Sequence, residues 1–267
     1  MQGGIEKKML FTVDVESHSP GSDEDGAVWI AEMLSECNIS GTFFIAGEVV
    51  EKRLDVVKKI LKNGHEVASH GFGHRGYYRG YEKPYLDELS EEEALIEIES
   101  SYKCFQNVGI KIQGYRAPRF RIRHDQLKLV SQFFDYDSSF KKMNHELRKI
   151  SGRFNIIELS ISHFCRIPLP TGTPYLLAGG VPLWKTLEKI TGLPTMVVFY
   201  CHSFDVVSGA ASLHPKIKKL KKFAYYRHCG ESGKLFLKRL VKHLLDSEWN
   251  FFTCAEFIDM KKKALGA

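Results

Sequence analysis

The chain reads as an α/β protein, a single-domain distorted (β/α) barrel of about seven βα units. Three observations carry that expectation. Short β-rich apolar runs alternate with amphipathic stretches along the whole sequence. With 267 residues and 43% hydrophobic side chains, one large core can be buried. No Pro, Gly or Ser-rich linker, low-complexity tract or internal repeat divides the chain, so residues 1–267 are read as one domain. So long an alternation closes more readily into a barrel than it extends as an open sheet. Both arrangements gather functional residues at the C-terminal ends of the strands.

The expected strands are Met9–Val15, Thr42–Ala46, Glu66–Ser69, Ile110–Tyr115, Phe134–Asp137, Asn155–Ser160, Met196–His202 and Trp249–Thr253. Between the second and third, Val50, Leu54, Val57 and Leu61 recur at helical spacing, and Asn63-Gly64 supplies the stop. Ser90-Glu-Glu-Glu93 is a capping box opening a helix whose Leu95, Ile98, Tyr102 and Phe105 share a face, closed near Gly109. A further helix is expected over about 231–246, with Leu235, Leu240, Val241 and Leu244 toward the core.

Composition narrows the function classes. The six cysteines show no CxxC spacing, which argues against a zinc ribbon, a thioredoxin-like motif or a small disulfide scaffold. No apolar stretch approaches the ~18 residues of a spanning helix, and the N-terminal apolar run is too short for a secretory signal. The expected compartment is therefore cytoplasmic. Net charge is +6, with five lysines concentrated in Lys216–Lys222. A solvated face is the simpler reading of that run, with weak contact to an anionic membrane surface as the functional one. A single lysine run without a binding module does not make a nucleic-acid reader. The sequence leaves the oligomeric state open.

The sharpest chemical signal is His70-Gly-Phe-Gly-His74, two imidazoles four residues apart among glycines, a pattern suited to holding one divalent metal. Upstream, Thr12-Val-Asp14-Val-Glu16 ends an apolar run in two carboxylates, placed on one face by their spacing along a strand. Downstream, a second apolar run ends at His202. The strand-end rule brings these together with Arg116 and Asp137 at one mouth.

These motifs resemble the polysaccharide deacetylases of the NodB-homology type, carbohydrate esterase family 4. The family's Thr-Phe-Asp-Asp-Gly pattern resembles Thr12–Glu16, its His-[Ser/Thr]-x-x-His block His70–His74, and its Arg-x-Pro block Arg116–Pro118. Its Asp-Ser block resembles Asp137-Ser138, and its late strand histidine His202. The motifs occur in order and the resemblance runs from about residue 9 to 257. The acidic pair spread as Asp-Val-Glu, with the segments Leu169–Pro174, Ala178–Gly180 and Tyr226–His228, resembles a subgroup associated with exopolysaccharide assembly.

The resemblance implies a metal-dependent hydrolase that removes N-acetyl groups from amino sugars of a glycan or a lipid-linked glycan precursor. Its metal ligands would be Glu16, His70 and His74. Asp14 would be the general base, paired with Arg116. His202 would be the general acid, oriented by Asp137. Zinc is the expected metal, with cobalt and nickel as alternatives suited to two nitrogens and one oxygen. The exchange of Asp14 and Glu16 as base and ligand stays open. Two other readings are a hydrolase of cyclic amides or ureides on the same scaffold and a catalytically silent glycan-binding protein.

Simple structural roles are expected for His65, beginning a strand, and for His18, in a Ser, Pro and Gly-rich loop. The aromatic loop Arg75–Tyr81 either stacks on sugar or packs against the barrel.

Overall fold

The computed structural model describes residues 6–16, 22–73, 76–78, 81–208 and 225–264, with backbone only at 22–24, 76–78, 81–83 and 264. His18, His74 and the lysine run 216–222 lie outside the described residues, as do the side chains of Tyr77 and Tyr78.

All eight expected strands form, and every pairing in their sheet is parallel. In chain order they are β1 (Lys7–Val15), β2 (Thr42–Ile45), β3 (Glu66–Ser69), a small antiparallel hairpin β4 (Gly76–Tyr78) and β5 (Tyr81–Lys83), then β6 (Gly114–Tyr115), β7 (Tyr136–Asp137), β8 (Ile157–Glu158), β9 (Met196–His202) and β10 (Trp249–Phe252). β1 is central. Its Lys8–Asp14 stretch pairs with β9, while β10 meets Lys7–Leu10 and β2 meets Thr12–Val15. From β2 the sheet continues through β3, β6, β7 and β8.

The barrel is distorted where its strands are shortest. The runs expected over 110–115, 134–137 and 155–160 shorten to two-residue ladders in β6, β7 and β8. β8 then reaches β9 through irregular chain. The Ser162 N–H donates to the Val198 carbonyl at 3.1 Å, and Ser162 Oγ accepts from the Val198 N–H at 2.9 Å. The Tyr200 N–H donates to the Thr171 carbonyl at 3.2 Å. The strand-forming residues are present here, but a side chain and a loop carbonyl supply what a regular ladder would.

Alternation along β1 separates two cores. Met9, Phe11, Val13 and Val15 pack between sheet and helices. Leu10 joins Phe44, Ala68, Tyr136 and Val198 in the barrel interior. The helix Cys254–Ala264 plugs the end formed by the strand N-termini, contributing Cys254, Phe257 and Ile258 to that interior. Its first N–H groups find acceptors inside the barrel. Cys254 donates to Thr42 Oγ1 at 2.8 Å and Ala255 to Glu66 Oε2 at 3.0 Å, so a carboxylate meets the positive end of the helix. One end closed this way leaves the strand C-termini as the open face.

Two helical expectations need correction. The periodicity over Val50–Leu61 is split into helices Gly47–Lys52 and Leu54–Lys62 by Arg53 (φ −138°, ψ 51°). The break rephases the buried face, which becomes Val56, Val57 and Ile60, while Leu61 is 38% exposed. The helix Glu231–Asp246 forms as expected, but its core face is Phe236, Leu237, Leu240, Val241 and Leu244, leaving Leu235 47% exposed. The capping box at Ser90 is present, Ser90 Oγ accepting from the Glu93 N–H at 3.3 Å and Glu93 from the Ser90 N–H at 3.0 Å.

Candidate active site

The open face holds a cavity of about 480 Å³. Asp14, Glu16 and His202 form part of its lining, with Phe120, Tyr175 and Tyr226 among its aromatic wall and Arg119 and Lys141 also contributing. Strand register explains the grouping. Asp14 is the Cα partner of His202 on one side and of Phe44 on the other, so residues far apart in sequence occupy one layer of the barrel. Arg116 follows β6 and His70 follows β3, because Ser69 pairs with Tyr115.

Arg116 organises the floor of the site. It is fully buried, and its guanidinium lies over the Phe44 ring, 4.0 Å from the centroid. Nη1 donates to Asp14 Oδ1 at 2.6 Å and to Thr12 Oγ1 at 2.9 Å. Nε donates to the Ser138 carbonyl at 3.1 Å, and Nη2 to Ser138 Oγ at 2.8 Å. Charge-assisted contacts of this kind fix Asp14 in one orientation, as the Arg116–Asp14 expectation required.

Glu16 and His70 are brought together, with Glu16 Oε1 3.3 Å from His70 Nε2. The Arg116 carbonyl, which can only accept, lies 3.0 Å from His70 Nδ1 and so places the ring proton there. In the neutral ring, the Nε2 lone pair then converges with a carboxylate oxygen. Two electron-pair donors facing one point, with the other ring nitrogen anchored to a carbonyl, fit a divalent cation. His74, the third expected ligand, lies outside the described residues.

The segment between the two histidines is held from three sides. The Gly71 carbonyl accepts from the Gly47 N–H and the Phe72 carbonyl from the Glu48 N–H, each at 2.9 Å. The Phe72 and Gly73 N–H groups converge on Glu97 Oε1 at 3.2 and 3.1 Å. Gly71 has φ +71°, which favours glycine, and a Cβ there would press on the Pro118 ring. Glu97 is an anchor the sequence reading missed, since it looked like one acid among several on a helix.

Asp137 is not the neighbour of His202, which corrects its expected role. Tyr136 points into the barrel interior, so the next residue turns to the other sheet face. There Asp137 accepts from the Ser139 N–H at 2.9 Å and from Ser139 Oγ at 2.6 Å, and Ser139 Oγ accepts from the Ala117 N–H at 2.7 Å. The carboxylate thereby steadies the backbone beside Arg116. Burial raises the Asp137 pKa, opposed by the Glu158 hydrogen bond and the Ser139 donors.

His202 instead meets Tyr225, whose OH lies 3.1 Å from Nδ1. The same phenol donates to Asp205 Oδ1. Asp205 Oδ2 accepts from the His202 N–H at 2.8 Å and from Thr173 Oγ1 at 2.6 Å. Phe204 stacks on the imidazole with centroids 4.7 Å apart. The segment Leu169–Pro174 thus contributes through Thr173. Arg119 and Phe120 both have φ 58°, and Phe120 meets Tyr200 edge-on at 5.2 Å in the cavity wall.

His65 takes the structural role expected of it. The Gly41 N–H donates to Nδ1 at 3.2 Å, so Nε2 carries the proton and donates to the Ala31 carbonyl at 2.8 Å. All six cysteines are free thiols. Among the described residues, no helix is long and apolar enough to cross a membrane.

Comparison with known proteins gives a consistent picture. Residues 3–152, more than half of the chain, match the family model described as polysaccharide deacetylase. A peptidoglycan-N-acetylglucosamine deacetylase of Bacillus cereus is 28% identical over 112 residues, covering 42% of this chain and 38% of the relative. The match therefore spans well under half the length of that protein. Among solved structures, a candidate polysaccharide deacetylase from Mycobacterium smegmatis superposes with TM-score 0.66 at 17% identity, covering 97% of this chain and 91% of the other. A pseudoenzyme of carbohydrate esterase family 4 from Bacillus anthracis superposes with TM-score 0.55 at 14% identity, covering 95% and 66%. At these identities the two structures show the shared fold.

Proposed function

Because the chain belongs to the polysaccharide deacetylase family, we propose that it is a metal-dependent hydrolase removing N-acetyl groups from amino sugars of a glycan or lipid-linked glycan precursor. The observation that carries this reading is the convergence of Asp14, Glu16 and His202 on one cavity, with Arg116 behind Asp14 and His70 beside Glu16. A silent binder has no need of an oriented carboxylate opposite a histidine held at its far nitrogen. Of the two acids, Asp14 is the base because Arg116 engages one of its oxygens, and Glu16 is the ligand because it faces His70 Nε2.

Glu16, His70 and His74 would hold the cation, with Zn²⁺ the proposed occupant and Co²⁺ or Ni²⁺ compatible with the same donors. Bound there, the cation supplies Lewis acidity, polarising the acyl carbonyl and acidifying water. The protein does the rest. Asp14 accepts a proton from the attacking water, held in line by Nη1 of Arg116. His202 donates a proton to the amine nitrogen as the C–N bond breaks, releasing acetate and the free amino sugar. Phe120, Tyr175 and Tyr226 offer aromatic faces to the sugar ring. The Asp-Val-Glu spacing supports an exopolysaccharide-type substrate within this class.

The test is acetate release by zinc-reconstituted protein from acetylated amino-sugar oligomers and a polyprenyl-linked N-acetylhexosamine, with Asp14→Asn as control. Release that depends on Asp14 supports the reading. Tight glycan binding with no acetate from any of these substrates would replace it with the silent binder, and ring opening of a cyclic ureide would replace it with the amidohydrolase.

A further inference from the structure

We infer that Tyr225, backed by Asp205, is a positioning residue that fixes His202 in its Nδ1–H tautomer and leaves Nε2 for the substrate side. A phenol has one hydrogen, and Tyr225 gives it to Asp205 Oδ1. Its oxygen then has only lone pairs for the imidazole nitrogen 3.1 Å away, so the hydrogen in that contact belongs to His202 Nδ1.

Asp205 is committed to the same arrangement. It is fully buried, and its two oxygens accept from Tyr225, Thr173 Oγ1 and the His202 N–H. Three donors on one carboxylate favour its ionised form, against the burial that raises its pKa. Burial and the charge of Asp205 push the Tyr225 phenol well above the usual tyrosine range, so it keeps its hydrogen. The stacked Phe204 ring restrains the imidazole plane, and within that plane the Tyr225 oxygen faces Nδ1. Among the described residues, the other ionisable groups around His202 include Asp14 on the neighbouring strand, held by Arg116 from beyond β6, and Tyr200 on its own strand, with Glu16, Arg119, Lys141, Tyr175 and Tyr226 elsewhere in the cavity lining.

This chain of contacts gives His202 a directed task. When Nε2 gives its proton to the leaving nitrogen, the ring ends neutral with its remaining hydrogen on Nδ1, donated to the Tyr225 oxygen, and no tautomer change is needed before the next cycle. Asp205 acts through its hydrogen bonds with Tyr225 and the His202 backbone and, fully buried, stays out of the cavity lining. The kinetic part of this inference rests on the deacetylase reading; the tautomer does not.

The experiment is long-range ¹H–¹⁵N correlation spectroscopy in alkaline buffer on protein labelled with ¹⁵N-histidine, with the His202 signals identified by their loss in His202→Gln. Wild type is expected to show Nδ1 protonated and Nε2 unprotonated. In Tyr225→Phe, which keeps the ring and removes one oxygen, the signals should move toward the Nε2–H form. On an acetylated oligomer, kcat should fall roughly tenfold with KM unchanged. An Nε2–H tautomer in wild type overturns the inference without any variant, as does a Tyr225→Phe protein with the wild-type tautomer. Because the spectra need no substrate, failure to release acetate sinks the deacetylase reading alone.

Discussion

Arg116 Nη1 stands 2.6 Å from Asp14 Oδ1, and the two side chains are 0% and 2% exposed. A buried pair of this kind resists removal of one partner, because the other charge is left without compensation. Arg116→Met should therefore destabilise the fold by about 3–5 kcal/mol, read as a lower urea midpoint. Asp14→Asn keeps an acceptor for the guanidinium but removes its countercharge, so its urea midpoint should also fall, by less than that of Arg116→Met. Its turnover should fall by at least ~100-fold, the usual scale for a general base. A folded, active Asp14→Asn protein would remove Asp14 from the chemistry.

Glu97 gathers the N–H groups of Phe72 and Gly73, which lie between the two histidines of the proposed metal site. Partners of this type tune ligand geometry without touching the ion, typically by ~10–100-fold in affinity. Glu97→Ala should lose about that much zinc affinity in calorimetry on metal-stripped protein, and Glu97→Gln, which retains an acceptor, should lose less. Equal affinity in all three proteins would show that the loop holds its shape unaided.

His65 sets a pH dependence of stability remote from the active site. Burial lowers its pKa in the folded protein, the Ala31 hydrogen bond opposing. The unfolded chain thus binds a proton more readily, so this contribution is present above about pH 6.5 and is lost as pH falls through the depressed folded value. Urea midpoints of wild type should drop on acidification below that range, and His65→Gln should show a shallower drop. Parallel curves would exclude His65 as the source.

Asp137 and Glu158 are Cα partners on β7 and β8, and both are buried. Burial, with Asp137 nearby, raises the Glu158 pKa well above the usual range. A hydrogen bond joins the two carboxyls, and the raised Glu158 pKa puts the shared proton on Glu158. A raised folded pKa gives stability that is full below about pH 4.3 and lost as pH rises through the folded value. Glu158→Gln, whose amide can donate to Asp137 without titrating, should hold its denaturation midpoint better than wild type in alkaline buffer. A variant that loses stability in parallel with wild type would place the titration elsewhere.

The strands and the proposed site were legible in sequence to different depths. Apolar runs marked all eight sheet strands because burial on both faces demands continuous hydrophobicity. They overran the ladders of β6, β7 and β8, since hydrophobicity reports burial and the two-residue pairing there depends on neighbours. Asp14, Glu16, His70, Arg116 and His202 stood at strand ends, so strand topology was enough to collect them. Tyr225 and Asp205 escaped notice because nothing local separates a tyrosine on a relay from one in a core. Asp137 was misread for a related reason. Its motif placed it at the right strand end, and only the pleat, with Tyr136 taking the interior side, turned it away from His202.

The sequence by itself determined which residues could form strands, where those strands end, and which chemistry-bearing side chains stand at their ends. These follow from periodicity and residue type, which are local. Tertiary structure alone decided the partners that no motif announced: Glu97 with the loop after His70, and Tyr225 and Asp205 with His202. Those choices depend on register and on which face of the pleat a side chain takes. A shift of one residue in either would exchange the barrel interior for the helix layer while leaving every local propensity intact.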